Sequence, residues 1–249
     1  MIHISTTSVS GNSFDNDSDF PATVFDESKF YIGQSLENVY IRSKFEAEKA
    51  VLEAIINGLD AIIIRVGNLA NRTSDLLFQK NYKENATLSR LKAFADLGFY
   101  PRRLSLLPIE VSPVNDTAKG IINIAQHYNM VSIIFHLYND KTVRFDSFVK
   151  AFKKFGIKMK AVSTKRFREE VNKIINDPSK SYIFETFVND LDKDGNLRFL
   201  NNISLNNNYS TRHLNYIGFD WSRINSAYMK KYAEYFRDIG YFGGDKNGL

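Results

Sequence analysis

The pattern that most constrains this chain is a helical stretch between two short apolar segments. Residues 38–58 carry an apolar stripe at helical spacing, and Gly58 is placed to end the helix. Ile2-His3-Ile4 precedes this helix, and the β-branched run Ile62-Ile63-Ile64 follows it. A continuous apolar run of this kind is typical of a parallel strand that is covered on both faces. The order of these segments therefore predicts a βαβ unit within an α/β fold.

Ligands of an open parallel sheet bind beyond the carboxyl ends of its strands. Here those ends are residues 5–8 and residues 66–68. Tyr40 and Lys44 lie at the start of the intervening helix, and their spacing of four places them on one helix face. An ammonium beside a phenol favours the phenolate, which suits a general acid that serves a developing alkoxide. We expect the hydroxyl-rich loop, the Tyr-Lys face and the Gly67-Asn68 turn to converge on one rim.

The rest of the chain falls into two parts by composition. Further helices are predicted at about residues 85–97 and 117–125, the latter capped by Asn115 or Asp116, and further strands at 109–111 and 133–137. Beyond residue 141 the chain is first basic and then rich in aromatic residues and asparagine. Helices are suggested there at about 145–155, 164–176, 181–190 and 221–238. We therefore predict a partial Rossmann-like portion at 1–140 and a mainly helical substrate- and carrier-binding lobe at 141–249.

Composition excludes several kinds of site. None of the 249 residues is a cysteine, which excludes disulfides, thiolate catalysis and cysteine-ligated metals. The four histidines lack the spacing of metal ligands, and we predict no metal site. No apolar run approaches the roughly 20 residues of a membrane-spanning helix. We expect a soluble cytoplasmic protein.

The net charge of +5 is unevenly placed along the chain. Residues 141–173 contain eleven lysines and arginines against three acids, a balance that favours an acidic partner. A solvated helix surface has the same composition, and both readings stay open. Because no nucleic-acid-binding motif accompanies the charge, we expect no nucleic-acid partner.

Three matches in a fixed order are more specific than any one of them. The chain resembles the extended short-chain dehydrogenase/reductase superfamily at Ser5-Thr6, at Tyr40-x-x-x-Lys44 and at Arg65-Val66-Gly67-Asn68-Leu69. Longer stretches, among them residues 40–52, 65–72 and 218–221, resemble the terminal thioester reductase domains of nonribosomal peptide synthetases. Carboxylic acid reductases are similar. The resemblance extends over essentially the whole chain.

This resemblance implies NADPH-dependent reductive release. Hydride adds to the thioester carbonyl of a peptidyl or acyl group that phosphopantetheine tethers to a carrier protein, giving an aldehyde or, after a second round, an alcohol. Thr6 would hydrogen-bond the carbonyl oxygen, and Tyr40 would stabilise or protonate the oxyanion. Lys44 would hold the nicotinamide ribose and tune Tyr40. The nicotinamide itself would be bordered by Val66, Gly67 and Asn68.

One feature of the family is missing from the sequence. The first half of a family member carries a glycine-rich phosphate-binding turn, and neither G-x-x-G-x-x-G nor G-x-G-x-x-G occurs here. We therefore expect only the C-terminal part of a Rossmann-like sheet, in a fragment that lacks the dinucleotide-binding half. Such a fragment would be inactive alone and would bind NADPH poorly until the N-terminal half is supplied.

Several alternatives stay open at the level of single residues. Thr6 could simply cap a turn, with Thr7 or Ser8 as the functional hydroxyl. His136 is expected to be a core or rim histidine rather than a catalyst. The stretch from Asp190 to Gly195 matches the start of a calcium-binding loop but lacks the acid at position 12, which favours a turn.

Three classes of function are compatible with these patterns. The leading one is a thioester reductase that acts on a carrier-bound group. The second is another extended reductase, such as a fatty acyl reductase or a nucleotide-sugar epimerase or dehydratase. The third is a non-catalytic interaction module. The basic stretch suits an acidic carrier protein and speaks against the sugar enzymes.

Overall fold

A computed structural model describes residues 1–11, 23–127, 132–174, 177–188 and 203–242 of the chain. The strands in these ranges are β1 (Ile2–Thr6), β2 (Thr23–Phe25), β3 (Ile62–Val66), β4 (Leu69–Ala70), β5 (Phe99–Pro101), β6 (Pro108–Ile109), β7 (Ser112–Pro113), β8 (Ile134–Leu137), β9 (Val143–Arg144), β10 (Lys160–Val162) and β11 (Ile203–Leu205). The α-helices are α1 (Val39–Ile56), α2 (Ala86–Leu97), α3 (Val114–Gln126), α4 (Phe145–Lys153), α5 (Thr164–Ile174), α6 (Ser181–Val188), α7 (Asn208–Tyr216) and α8 (Ser226–Asp238).

The chain folds into two compact units, each assembled from three segments. Unit 1 contains residues 1–70, 110–141 and 200–222, and unit 2 contains residues 71–109, 142–199 and 223–249. The functional division of the chain at residue 140 stays a prediction. The predicted calcium-like turn from Asp190 to Gly195 lies outside the described residues.

Unit 1 is organised around a parallel sheet with strand order β1-β3-β8. Thr6 pairs with Val66, and Val66 pairs in turn with Leu137. All five residues of β3 are buried, as the continuous apolar run predicts for a central strand. The βαβ unit is confirmed, and each of its strands extends two residues further toward its carboxyl end than the apolar runs indicate.

The same sheet corrects the predicted fold class. The expectation of only the C-terminal part of a Rossmann-like sheet is wrong, because the parallel sheet of this chain begins at Ile2. Parallel strand pairing and the crossover helix build such a sheet, and neither depends on a glycine-rich turn. The chain thus contains the N-terminal, dinucleotide-binding part of the Rossmann-like fold.

Two helices of unit 1, α1 and α3, test the residues that were predicted to begin or end a helix. The Asn38 side chain accepts a hydrogen bond from the Ile41 amide at 3.2 Å and caps α1, and Gly58 follows the helix with φ of +97°. The predicted cap of α3 is wrong, because α3 begins at Val114 and its Asp116 carboxylate accepts from the Ser222 amide at 2.9 Å. Asp116 therefore holds a distant segment of unit 1 instead of its own helix start.

Unit 2 is mainly helical, as the composition indicates. Its helices α4, α5, α6 and α8 all lie within the predicted stretches. Asn85 caps α2 through the Leu88 amide, and Gly98 ends that helix with φ of +76°. The interior is aromatic, with Phe236 packed against Tyr232 at a ring-centroid distance of 4.9 Å. Three aromatic residues of α8, Tyr228, Tyr232 and Phe236, are buried in this interior.

Candidate active site at the strand ends of unit 1

The carboxyl ends of the three parallel strands of unit 1 lie together at one edge of the sheet, where the sequence predicts a rim. Thr6, Val66 and Leu137 lie side by side across β1, β3 and β8. The amide of Gly67 continues this pattern by donating to the Leu137 carbonyl at 3.2 Å. Polar residues that follow the strands are thereby held at one edge of the sheet, where parallel sheets bind ligands.

The Thr6 hydroxyl makes a local hydrogen-bond pair. Its Oγ1 accepts from the Ser8 amide and donates to the Ser8 hydroxyl, both at 3.2 Å, and so caps the short 3-10 helix Thr7–Ser10. Thr6 and Thr7 are buried, whereas Ser8 is exposed. The capping role that the sequence left open is therefore observed. It orients the Thr6 hydroxyl, and a catalytic role for that hydroxyl stays a proposal.

Tyr40 and Lys44 lie on consecutive turns of α1, as their spacing predicts. The Lys44 ammonium donates to the Ile4 carbonyl at 3.4 Å, in the middle of β1 and two residues before Thr6, and so connects α1 to this strand. Tyr40 is 55% exposed, and within the described ranges its hydroxyl has no hydrogen-bond partner. The phenol therefore lies one turn of α1 before an ammonium that contacts β1.

The Gly67-Asn68 turn contacts a residue that sequence reasoning missed. The Glu110 carboxylate accepts a short hydrogen bond from the Asn68 amide and another from the Ser112 hydroxyl. A Cβ atom on Gly67 would lie only 2.6 Å from Glu110 Oε2 and 2.5 Å from Tyr138 Cβ, so glycine is required there. The only feature of the sequence that could have indicated Glu110 is the position of this acidic residue directly after the apolar Ile109.

Burial raises the pKa of Glu110 to about 7, although the hydrogen bonds from Ser112 and Asn68 favour the ionised form. A carboxyl group with this pKa changes charge near neutral pH. Perturbed groups of this kind cluster at functional sites, but they also occur in structural networks. Glu110 therefore belongs to the candidate site by position.

A buried charged network lies around the middle of the sheet. Arg65 of β3 forms a bidentate pair with Glu48 of α1, and Arg65 Nη1 lies 3.1 Å from His136 Nε2 on β8. Because arginine can only donate, His136 Nε2 accepts, and its Nδ1–H donates to the Asn206 carbonyl at 2.7 Å. Burial, with the nearby charge of Arg65, lowers the pKa of His136 to about 4. The expected core role of His136 is confirmed.

The chemistry of the donor set fits a nicotinamide cofactor better than a metal. The rim combines a phenol, an ammonium, a hydroxyl and main-chain amides, which are donors suited to ribose hydroxyls and to a developing oxyanion. Among the described residues, no group of three or more acidic or histidine side chains could hold a metal ion. Within the same ranges, no helix is both long and apolar enough to cross a bilayer.

Residues 1–121 match the model of an NAD-binding family described as Male sterility protein. Over nearly its whole length the chain is also similar to solved reductase domains. A thiolation-reductase di-domain from an archaeal non-ribosomal peptide synthetase is 31% identical with a TM-score of 0.80, and the match covers 97% of this chain and 49% of that one. The aureusimine biosynthetic cluster reductase domain is 28% identical with a TM-score of 0.76, covering 96% of this chain and 60% of that one.

A further match, to the terminal R domain of the myxalamid PKS-NRPS pathway, supports the fold alone. It is 18% identical with a TM-score of 0.78, and it covers 98% of this chain and 59% of that one. The chain spans about half to three-fifths of the length of these solved relatives. No curated protein matches the chain at a significant level. The chain is thus similar to an NAD-binding family over residues 1–121 and to reductase domains of non-ribosomal peptide synthetases over nearly its whole length.

These matches correct the predicted extent of the resemblance. The prediction of a C-terminal half without the dinucleotide-binding half is wrong, because the NAD-binding family matches from residue 1 and the parallel sheet begins at residue 2. The predicted need for a missing N-terminal half as a partner is wrong for the same reason. A glycine-rich turn is one element of such a domain, and its absence from the sequence does not remove the strands and helix that define the sheet edge.

Proposed function

We propose that this chain is an NADPH-dependent thioester reductase that releases a peptidyl or acyl group from a carrier protein as an aldehyde. The observation that carries the proposal is the hydrogen bond from Lys44, on the helix that also holds Tyr40, to the Ile4 carbonyl of β1, two residues before Thr6 in a parallel sheet whose residues match an NAD-binding family. The 31% identity to a reductase whose structure includes a thiolation domain supports the substrate class. NADPH, when bound, supplies the hydride that reduces the thioester carbonyl carbon.

The side chains of the rim have distinct proposed roles. The Thr6 hydroxyl, which donates to Ser8 Oγ in the free chain, turns to donate to the thioester carbonyl oxygen while it still accepts from the Ser8 amide. The free Tyr40 phenol donates its proton to the oxyanion that develops there. The Lys44 ammonium stabilises negative charge on Tyr40 and holds the nicotinamide ribose. The hydroxyl proton of the resulting hemithioacetal then passes to sulfur as the C–S bond breaks, so the phosphopantetheine arm leaves as a thiol and the aldehyde forms.

The carboxyl end of β3 completes the proposed cofactor site. Val66 is the last residue of β3 at the sheet edge, and the Gly67-Asn68 turn that follows it borders the nicotinamide. Main-chain hydrogen bonds fix this turn on both sides: Gly67 donates to the Leu137 carbonyl at 3.2 Å, and the Asn68 carbonyl accepts from the Ser112 amide at 3.0 Å. A turn held in this way loses little conformational entropy when a cofactor binds.

The basic segment of unit 2 is the proposed docking surface for the carrier protein. Six of its cations are exposed and have no ion-pair partner in the described part of the chain: Lys153, Lys154, Lys158, Lys160, Lys165 and Arg166. They occupy the end of α4, the following loop, β10 and the start of α5. A cluster of unneutralised cations attracts an acidic partner and accelerates its association.

A direct assay tests the proposal. The full chain is mixed with NADPH and with a carrier protein that bears an acyl thioester, and both NADPH absorbance and released aldehyde are followed. One NADPH should be consumed for each aldehyde formed. Cofactor binding without turnover would favour another extended reductase, whereas no binding and no turnover would favour a non-catalytic interaction module.

A further inference from the structure

Glu110 connects the ends of two parallel strands. Its Oε2 accepts from the Asn68 amide just after β3, and its Oε1 accepts from the Ser112 hydroxyl. Ser112 Oγ in turn accepts from the Asn139 amide at 2.9 Å, just after β8. A continuous chain of hydrogen bonds thus runs from Asn139 through Ser112 and Glu110 to Asn68.

The direction of these hydrogen bonds depends on the charge of Glu110. Both partners that approach the carboxyl group, the Asn68 amide and the Ser112 hydroxyl, are donors. An ionised carboxylate is an acceptor only and satisfies both. A protonated carboxyl group can donate to the Ser112 hydroxyl oxygen, but it leaves the Asn68 amide with a neutral and therefore weaker acceptor, so the bond that holds the turn weakens.

We propose that ionised Glu110 is a positioning residue that holds the Gly67-Asn68 turn in the shape that binds the nicotinamide, so that cofactor affinity increases when Glu110 loses its proton. This inference rests on the proposed function, since it assigns a role within the same cofactor site. It adds a residue outside the Thr6, Tyr40 and Lys44 group. Glu110 acts through the turn and needs no contact with the reacting atoms.

Of Tyr138 and Glu110, the two titratable groups next to the turn, Glu110 is the one whose pKa lies near neutral pH. Tyr138 faces the same turn from the end of β8, with its Cβ close to Gly67. Burial and the charges of Glu27, Asp140 and Glu110 raise the pKa of Tyr138 well above its ordinary value, so Tyr138 stays neutral. The pKa of Glu110 is about 7, set chiefly by burial.

The size of the effect follows from the ionised fraction. With a pKa of about 7, Glu110 is about 10% ionised at pH 6 and about 90% ionised at pH 8. If only the ionised form binds well, the apparent Kd scales inversely with this fraction. NADPH should then bind up to about tenfold more tightly at pH 8 than at pH 6.

The test compares the full chain with Glu110→Gln across pH 6 to 8, with Glu53→Gln, an exposed acid on α1, as the matched control. NADPH affinity is measured by cofactor fluorescence. Glutamine keeps the size of the side chain and removes its titration. The expected result is a tenfold pH dependence in the parent and in Glu53→Gln that is lost in Glu110→Gln, apart from titration of the cofactor phosphate, which all three share. An equal pH dependence in all three proteins would overturn the proposal.

A second measurement needs no cofactor. The amide chemical shift of Asn68 should titrate with a midpoint near pH 7 in the parent and stay constant in Glu110→Gln. If the parent binds no NADPH at any pH, the proposed function fails and the effect on affinity fails with it, whereas the Asn68 titration still reports whether Glu110 holds the turn. An Asn68 amide that does not titrate in the parent would refute the role of Glu110 on its own.

Discussion

Arg65 and Glu48 form an ion pair in which neither side chain is exposed, with Arg65 Nη2 2.7 Å from Glu48 Oε2. The pair joins the central strand β3 to α1, the helix that carries Tyr40 and Lys44. Arg65 Nη1 also donates to the Lys29 carbonyl at 2.9 Å. Buried charges are tolerated when they are paired and fully hydrogen-bonded, as they are here. The position of α1, and with it the candidate rim, depends on this pair.

Glu48→Gln should destabilise the protein strongly. The substitution leaves the Arg65 guanidinium buried without a counter-charge, which typically costs about 3–5 kcal/mol. Chemical unfolding monitored by circular dichroism measures the free energy of unfolding. Glu53→Gln on the exposed side of α1 is the control and should change it by less than about 0.5 kcal/mol. Equal unfolding midpoints for the two variants would show that the ion pair does not hold α1.

His136 should remain neutral down to acidic pH. Its pKa in the folded chain is about 4, below the ordinary 6.5, so the folded state binds fewer protons than the unfolded state between these values. Its contribution to stability is therefore fully present above pH 6.5 and is lost as the pH falls toward 4. The His136 ring signal, assigned by its absence in His136→Gln, should titrate near pH 4 in nuclear magnetic resonance. A midpoint near 6.5 would contradict the buried network.

Glu110 should give stability the opposite pH dependence. Its pKa rises from 4.5 to about 7 on folding, so the folded state binds more protons than the unfolded state in this window. The contribution of Glu110 is fully present below pH 4.5 and is lost as the pH rises through 7. The stability of Glu110→Gln relative to the parent should therefore increase from pH 4.5 to pH 7. A difference that does not change with pH would mean that Glu110 ionises normally in the folded chain.

Reversing the charge of the basic segment should weaken carrier binding. Lys154→Glu with Lys158→Glu replaces two exposed cations of unit 2, and we expect association with an acidic carrier protein to slow by about tenfold at low salt. Stopped-flow or surface-binding kinetics measure this rate. Lys49→Glu with Lys119→Glu, at exposed lysines of α1 and α3, changes the net charge equally and is the matched control. If association slows equally in the control, the change in net charge alone explains the effect.

The sequence predicted the local architecture where short-range rules govern it. The βαβ unit and the end of α1 at Gly58 were predicted correctly, because periodicity and end signals act over a few residues. The position of Lys44 beside β1 followed from the topology of parallel sheets.

The errors arose where distant segments meet. Glu110 gave the pattern of an ordinary surface acid, and only folding brings it to Asn68, 42 residues away. Asp116 looked like a helix cap but binds the Ser222 amide, 106 residues away. The helix α7 went unpredicted because it is short and polar, with few apolar residues to mark its buried side. The expectation that the dinucleotide-binding half is absent rested on one missing motif, the glycine-rich turn, and did not take the strands into account.

The most direct test of the central claim is the effect of Tyr40→Phe on aldehyde formation from a carrier-bound thioester with NADPH. Loss of the phenol proton donor should lower kcat by about 10²-fold or more, since general acid catalysis typically contributes 10²–10⁴-fold. NADPH affinity should change far less than kcat. Tyr216→Phe, which alters a tyrosine that is 90% exposed on α7, should behave like the parent. Full activity in Tyr40→Phe would contradict the proposed catalytic site.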